Sequence, residues 1–337
     1  MKINIRGYIT HKESEKYSDC ADRYAVSTKN NHFAIADGVS KSFYPDYWAD
    51  ILVSNFVALE KGTELSIEKC QSEWLERVKE KVNAPDVKWY TANAFNKQIP
   101  GLATLVTLRF ENNKWFASAL GDSFLFFVPK EKIGFDEWVK LSSKPEPVVF
   151  DSYPDYYSSR KEQHGETKRI ENDLTEGTFY LMTDALSEWV FSKKEEAVSE
   201  INEKWHSQEE FERSIAELRS LKVLNDDDSA ILIIEIEDDG SAKLAYEKEE
   251  IQSLDELVEK EKSTESGISV DKEEDFIEEI KVNIKDEKIL KENTRKKITL
   301  SEKTIKSIKK ELKKLSEENQ KKVLINLCEQ YDFSLKD

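Results

Sequence analysis

Five aspartates sit where short apolar runs begin or stop: Asp22 in CADRYAV, Asp37 in FAIADGV, Asp122 in ALGDSFLFF, Asp184 in YLMTDAL and Asp226 in NDDDSAILI. A carboxylate at the end of a buried strand is held rigidly and can point into a space shared with others. Several such groups repel one another, and a cation relieves the repulsion. An all-oxygen set of this kind suits Mg²⁺ or Mn²⁺. The sequence offers no rival set for zinc, because its four His are scattered and no Cys-x-x-Cys occurs. Taken singly, each segment is also ordinary local chemistry. Asp-Gly and Gly-Asp-Ser are common turns, and Thr183-Asp184 ahead of a helix has the makings of an N-cap. The signal lies in the order of all five and in the strands around them.

The positioning elements follow from hydrophobic spacing. Residues 23–27 and 32–36 read as strands around a Lys29-Asn30-Asn31 turn, and Asp37-Gly38 ends the second. Trp48, Ile51, Leu52, Phe56 and Leu59 share one face of a helix over 45–61 with Gly62 as its C-cap, and a second helix covers 66–83. Residues 102–110 and 115–120 form a hairpin, and a strand over 123–128 follows the corner Gly121-Asp122. A strand over 178–183 runs into Asp184 and a helix. Another, 229–237, turns at Asp238-Asp239-Gly240 into 242–246. Between 142 and 175 the periodicity is lost, and three prolines interrupt a stretch that reads as a long surface excursion, flap-like in character.

Composition bounds the rest. The 337 residues carry a net charge of −17, which weighs against nucleic acid as a partner, since phosphate binding needs a basic face. Three widely spaced cysteines fit a reducing compartment and no disulfide framework. No apolar run is long enough for a membrane span and the N-terminus lacks a signal-peptide core, so the expected location is cytoplasmic. Dense patterning and all seven Trp fall within 1–247, the expected main domain. Residues 248–300 read as a charged linker and 301–337 as a helical hairpin. Its stripes are Ile305, Ile308, Leu312 and Leu315, then Val323, Leu324, Leu327 and Tyr331, suited to protein–protein contact.

In its order of motifs the chain resembles the metal-dependent protein phosphatases of the type 2C class (the PPM family), as a divergent, bacterial-like member. Residues 19–49 resemble the family's opening strand pair, Asp-Gly motif and following helix. Residues 101–128 resemble its small-residue strand and Gly-Asp-Ser. Residues 178–189 and 226–236 resemble its Ser/Thr-Asp-Gly-Leu and closing Asp-Asn/Asp-x-Ser/Thr segments. The resemblance implies an α+β fold: a four-layer α-β-β-α sandwich of two antiparallel sheets flanked by helices, here with a C-terminal helical extension. It implies two Mn²⁺ or Mg²⁺ ions with a third, weaker site. Asp37 would bridge the two ions and Gly38 would offer its carbonyl. Asp184 and Asp226 would complete the first ion, Asp22 would serve the second, and Asp122 with Asp184 would match the third. The implied activity is hydrolysis of phosphoserine and phosphothreonine esters through a metal-bridging hydroxide held at Asp37, with a phosphoprotein substrate and a partner Ser/Thr kinase. Cys20 has no Arg-rich loop beside it and reads as a packing residue.

The sequence departs from the family pattern in four ways. Ser40-Lys41-Ser42 stands where Gly-Gly-His is usual, so the expected His general acid is missing. Ala21 precedes Asp22, and Ala185 follows Asp184 in place of Gly. The phosphate-binding base is unassigned among Arg6, Lys12, Lys16 and Arg23. These departures keep a second function in view: a catalytically impaired, phosphatase-like protein that binds a phosphoprotein or another partner through the same cleft.

Overall fold

A computed structural model describes residues 1–266 except 86, 132, 133, 151, 152 and 242. The expected hairpin at 301–337 and most of the expected linker lie outside the described residues. In chain order the elements begin with β1 (Lys2–Thr10), β2 (Arg23–Ser27), β3 (His32–Ala36), α1 (Pro45–Val57), α2 (Ile67–Val82) and α3 (Trp89–Asn96). Next come β4 (Leu102–Ala103), β5 (Leu105–Glu111), β6 (Lys114–Leu120), β7 (Phe124–Pro129), β8 (Val139–Leu141), β9 (Tyr157–Ser158) and β10 (Lys168–Asp173). Then follow β11 (Gly177–Met182), α4 (Asp184–Lys193), α5 (Glu195–Lys204), α6 (Gln208–Ser220), β12 (Ser229–Glu237), β13 (Ala245–Ile251) and α7 (Leu254–Ser266).

Two sheets face each other. One has the order β13-β1-β12-β11-β7-β8, the other β10-β6-β5-β3-β2, and β4 and β9 form a short separate pair. Every pairing is antiparallel except β13, which runs parallel to β1. Rings interlock between the sheets: Phe179 of the first lies 5.5 Å from Phe110 and 5.2 Å from Trp115 of the second. Outside the second sheet, Trp48 and Leu52 of α1 and Trp74 of α2 bury against Ala34 and Ala36 of β3. Outside the first, Trp189 of α4, Ile201 of α5, and Phe211 and Ile215 of α6 bury with Tyr8, Ile231 and Ile233. The arrangement is the α+β sandwich with helices on both outer faces. Both strand faces are covered, which explains why β3 and β12 read as continuous apolar runs and not as alternations.

Several elements differ from the spacing-based reading. The N-terminal residues form a strand that lies between β12 and β13. Its Lys2, Ile3, Asn4, Ile5 and Arg6 alternate polar and apolar, a period-2 strand signal that the spacing-based reading leaves unused. The stretch 142–175 is also more than a surface excursion. Its β10 pairs with β6 as an edge strand, and nearly every residue of KRIEND is exposed, which is why no apolar period marks it. The rest of that stretch is tied down by Trp48 Nε1 donating to Tyr157 O (2.8 Å), Gln71 Nε2 to Ser158 O (2.9 Å) and Ser159 N to Gly101 O (2.9 Å). Helices α3, α5 and α6 add to those expected. Strand β13 runs across the domain boundary placed at 247, and α7 follows within the segment read as linker.

Candidate metal centre

Strand register brings the aspartates together. In the first sheet Thr10 pairs with Ser229, Met182 with Ile231, and Phe124 with Met182. The end of β1, the start of β12, the end of β11 and the start of β7 therefore share one edge. In the second sheet Arg23 pairs with Ala36, Ile35 with Val106, and Leu105 with Leu120. That puts the start of β2, the end of β3, the start of β5 and the end of β6 together. Asp22 precedes β2, Asp37 follows β3, Asp122 turns from β6 into β7, Asp184 follows β11, and the three aspartates 226–228 precede β12. A set scattered over two hundred residues becomes one cluster because antiparallel neighbours begin and end alike.

Close packing holds the corners. Thr104 N donates to Asp37 O (2.9 Å), Asp37 N donates to Thr104 Oγ1 (3.0 Å), and Thr104 Oγ1 lies 2.8 Å from Ser123 Oγ. The β3 end and the Gly121-Asp122-Ser123 corner are thereby locked together. Gly121 sits at φ 113°, and a Cβ there would come within 2.4 Å of Thr104 Cγ2, so only glycine fits. Gly38 is needed for a different reason: a Cβ would meet Ala21 O at 2.9 Å.

The carboxyl groups raise one another's pKa. Burial pushes Asp22 well above the usual carboxylate range, and Asp228 and Asp184 push it further, against a hydrogen bond from Thr183. Asp37 is raised likewise by burial and then by Asp184, Asp22, Asp122 and Asp227. Asp184 is pushed up to about 7 by burial, Asp122 and Asp227, although Ala185 N donates to its Oδ1 and Lys12 opposes the rise. Asp22 and Asp122 are only 1% and 2% exposed.

The last of the five expected positions stands apart from the other four in burial. Asp226 is exposed and faces away: its Oδ1 accepts from Glu13 N (2.8 Å) and lies 3.7 Å from Arg219 Nη1. Asp227 raises all three of Asp22, Asp37 and Asp184, whereas Asp228 acts on Asp22, more strongly than Asp227 does. Asp228 is buried, with its oxygens taken by Lys12 N (3.1 Å) and Ala21 N (2.7 Å), so it fixes the chain that carries Asp22.

Of the basic residues left open, Lys12 is the one at the cluster. Its Nζ donates to Ser40 Oγ (2.8 Å) and lies 3.0 Å from Asp227 Oδ1. Burial would lower this lysine, but the Asp227 contact leaves it raised. Arg6 is engaged elsewhere, with Trp205 O (2.7 Å) and Glu235 Oε1 (2.5 Å). Arg23 donates to Cys20 O and Asp22 O, both at 2.7 Å, and so braces the backbone. Spacing gave no hint of Lys144, whose Nζ lies 3.9 Å from Asp122 Oδ2 with both side chains largely buried. Cys20 is fully buried and its thiol is pushed up, as suits a packing residue.

The donor set fits a divalent ion in kind: it is all oxygen, mutually repelling, and includes Asp22 Oδ2, a buried oxygen with no hydrogen-bond partner. As placed, the carboxylates border a common space rather than converge: among the described residues no group of three or more His, Cys, Asp or Glu side chains closes on one point as ion ligands. No helix among the described residues is long and apolar enough to cross a membrane.

No family model matches the chain, and no curated protein does. Solved structures do resemble it in chain path. PppA, a regulatory component of the type VI secretion system in Pseudomonas aeruginosa, is 14% identical with a TM-score of 0.46, covering 70% of this chain and 98% of that one. The Mycobacterium tuberculosis serine/threonine phosphatase PstP, also 14% identical with a TM-score of 0.46, covers 70% and 99%. Stp1 from Staphylococcus aureus is 12% identical with a TM-score of 0.45, covering 71% and 98%. At this distance no residue role passes from them to this chain.

Proposed function

We propose that this protein is a Mn²⁺- or Mg²⁺-dependent phosphatase acting on phosphoserine and phosphothreonine in proteins. The observation that carries the reading is the group of Asp22, Asp37, Asp122, Asp184 and Asp227, buried or half-buried at one sandwich edge and charged against one another. Holding such a set ionised near neutral pH calls for cations. Asp37, with the carbonyl of Gly38, would be shared by two ions. Asp184 and Asp227 would complete one and Asp22 the other. When bound, two such ions supply an activated water and offset negative charge at a phosphoester.

The chain's own residues do the remaining work. Asp228 and Arg23 hold the backbone of Asp22, and Thr104 holds Asp37, so the carboxylates need little reorganisation as substrate arrives. Lys12 and Ser40 stand beside Asp227 and would donate to phosphoryl oxygens, in the role left open among the basic residues. The loop Ser40-Lys41-Ser42 lacks a His, so protonation of the leaving serine falls to solvent. Lys144 beside Asp122 already balances part of that carboxylate's charge, which favours two ions over three.

The test is hydrolysis of p-nitrophenyl phosphate and of a phosphothreonine peptide, with and without Mn²⁺, alongside Mn²⁺ titration calorimetry. Metal-dependent turnover lost in Asp37→Asn supports the reading. Mn²⁺ binding without turnover of either substrate would favour the impaired, phosphoprotein-binding alternative.

A further inference from the structure

Among the described residues no helix lies over the outer face of the β10-β6-β5 half-sheet, and a groove of about 460 Å³ opens there beside α1 and the start of α2. That volume falls within the roughly 300–1,000 Å³ common for small-molecule sites. None of its lining residues belongs to the acidic cluster. One wall is apolar, with Leu59, Leu65 and Ile67. The floor is set by register. Arg109, Phe116 and Glu171 oppose one another across the three strands, and Thr107, Ser118 and Arg169 form the adjoining row. The two arginines thus stand diagonally on either side of β6, two strand spacings and two residues apart. That is about 12 Å between Cα atoms, a span that two arginine side chains close from opposite sides.

The charged side chains lining the groove are Arg109 and Arg169 with Glu64 and Glu171, in a chain that is acidic as a whole. Among the described residues neither Arg109 nor Arg169 forms an ion pair. The Arg109 guanidinium lies 5.0 Å over the Phe116 ring, and its Nε is buried with no hydrogen-bond partner. Of the two carboxylates present, Glu171 is held by Lys114 (2.5 Å) and Glu64 is exposed at the rim. Thr107 Oγ1 and Ser118 Oγ are 2.7 Å apart and Thr107 Oγ1 lies 3.5 Å from Ser118 O, so the two hydroxyls bond chiefly to each other and to the strand. Two unpaired guanidinium groups beside an apolar wall match a ligand with a planar anionic head and a hydrocarbon body.

We propose that this groove binds a small amphipathic carboxylate, its head between Arg109 and Arg169 and its body along Leu59, Leu65 and Ile67. The site is independent of the phosphatase reading and stands or falls without it. The test titrates the full chain with decanoate by calorimetry, in EDTA and again in Mn²⁺, with decyltrimethylammonium as the cationic counterpart. Saturable one-to-one binding of decanoate is expected, equal in both buffers, with the cation at least about tenfold weaker. Arg169→Gln, at an exposed position, should weaken binding about tenfold, the worth of one charged hydrogen bond. Ile67→Glu should weaken it at least as much, and an acid in the first turn of α2 suits that helix. No saturation by about 1 mM decanoate, equal binding of the cation, or unchanged affinity in both variants would overturn the proposal. Binding seen only with Mn²⁺ would also overturn it, by moving the carboxylate to the metal centre.

Discussion

Neutralising Asp184 should stabilise the metal-free protein, and the structure sets how much. Its carboxyl is pushed up to about 7 from an ordinary 3.8, by burial first and then by Asp122 and Asp227. The folded state therefore keeps a proton that the unfolded chain releases, so stability falls as pH rises from about 4 to 7 and levels off above. Carried by Asp184 alone, that interval amounts to about 4 kcal/mol at pH 8. The repulsion is shared with Asp22 and Asp37, which leaves about 2 kcal/mol to one substitution. Asp184→Asn keeps the shape and the hydrogen bond from Ala185 N while removing the charge. In EDTA at pH 8 the variant should melt about 4–8 °C above the parent, at 2–4 °C per kcal/mol for a chain of this size. At pH 5 the gap should shrink to about a third, because the parent is then largely protonated. Mn²⁺ should reverse the order, raising the Tm of the parent and not of the variant. Scanning calorimetry of parent and variant at the two pH values, with EDTA and with Mn²⁺, measures these melting points. A variant less stable than the parent in EDTA at pH 8, or a gap that does not change with pH, would refute the repulsion argument.

Asp227→Asn should lower Mn²⁺ affinity at least about tenfold by calorimetry, whereas Asp226→Asn should leave it within about twofold. Equal effects would remove the distinction drawn between these neighbours. Gly121→Ala places a Cβ 2.4 Å from Thr104 Cγ2 at φ 113°, so urea denaturation should show a loss of about 2–4 kcal/mol. Lys12→Ala should raise KM for p-nitrophenyl phosphate more than it lowers kcat, because it removes a ground-state phosphate contact. A chain ending at residue 266 should fold and keep the parent's activity on that substrate. One ending at 248 loses the last three residues of β13, leaves Ile5, Arg6 and Gly7 of β1 without their partners on that side, and should melt lower or aggregate.

The sequence by itself carried the local facts. Asp37-Gly38 closing FAIA, Gly121-Asp122 between two apolar runs and Thr183-Asp184 ahead of a helix are set by neighbours in the chain, and each lies where the spacing put it. Helices α1 and α2 were legible because their buried faces repeat at helical spacing. Strand β10 was not, since a long-range partner and no apolar period makes it a strand, whereas β1 carries a polar/apolar alternation over 2–6 that went unread. Only the tertiary structure chose within Asp226-Asp227-Asp228. Three adjacent identical side chains offer no local distinction. The pairing of Ser229 with Thr10 and the amide groups of Lys12, Glu13 and Ala21 decide which carboxylate is spent on backbone and which faces the cluster. The same holds for Lys12 beside Ser40 and Asp227 and for Lys144 beside Asp122, pairs joined across the fold. Charge placement of this kind depends on distances between strand ends, and a linear sequence does not contain those distances.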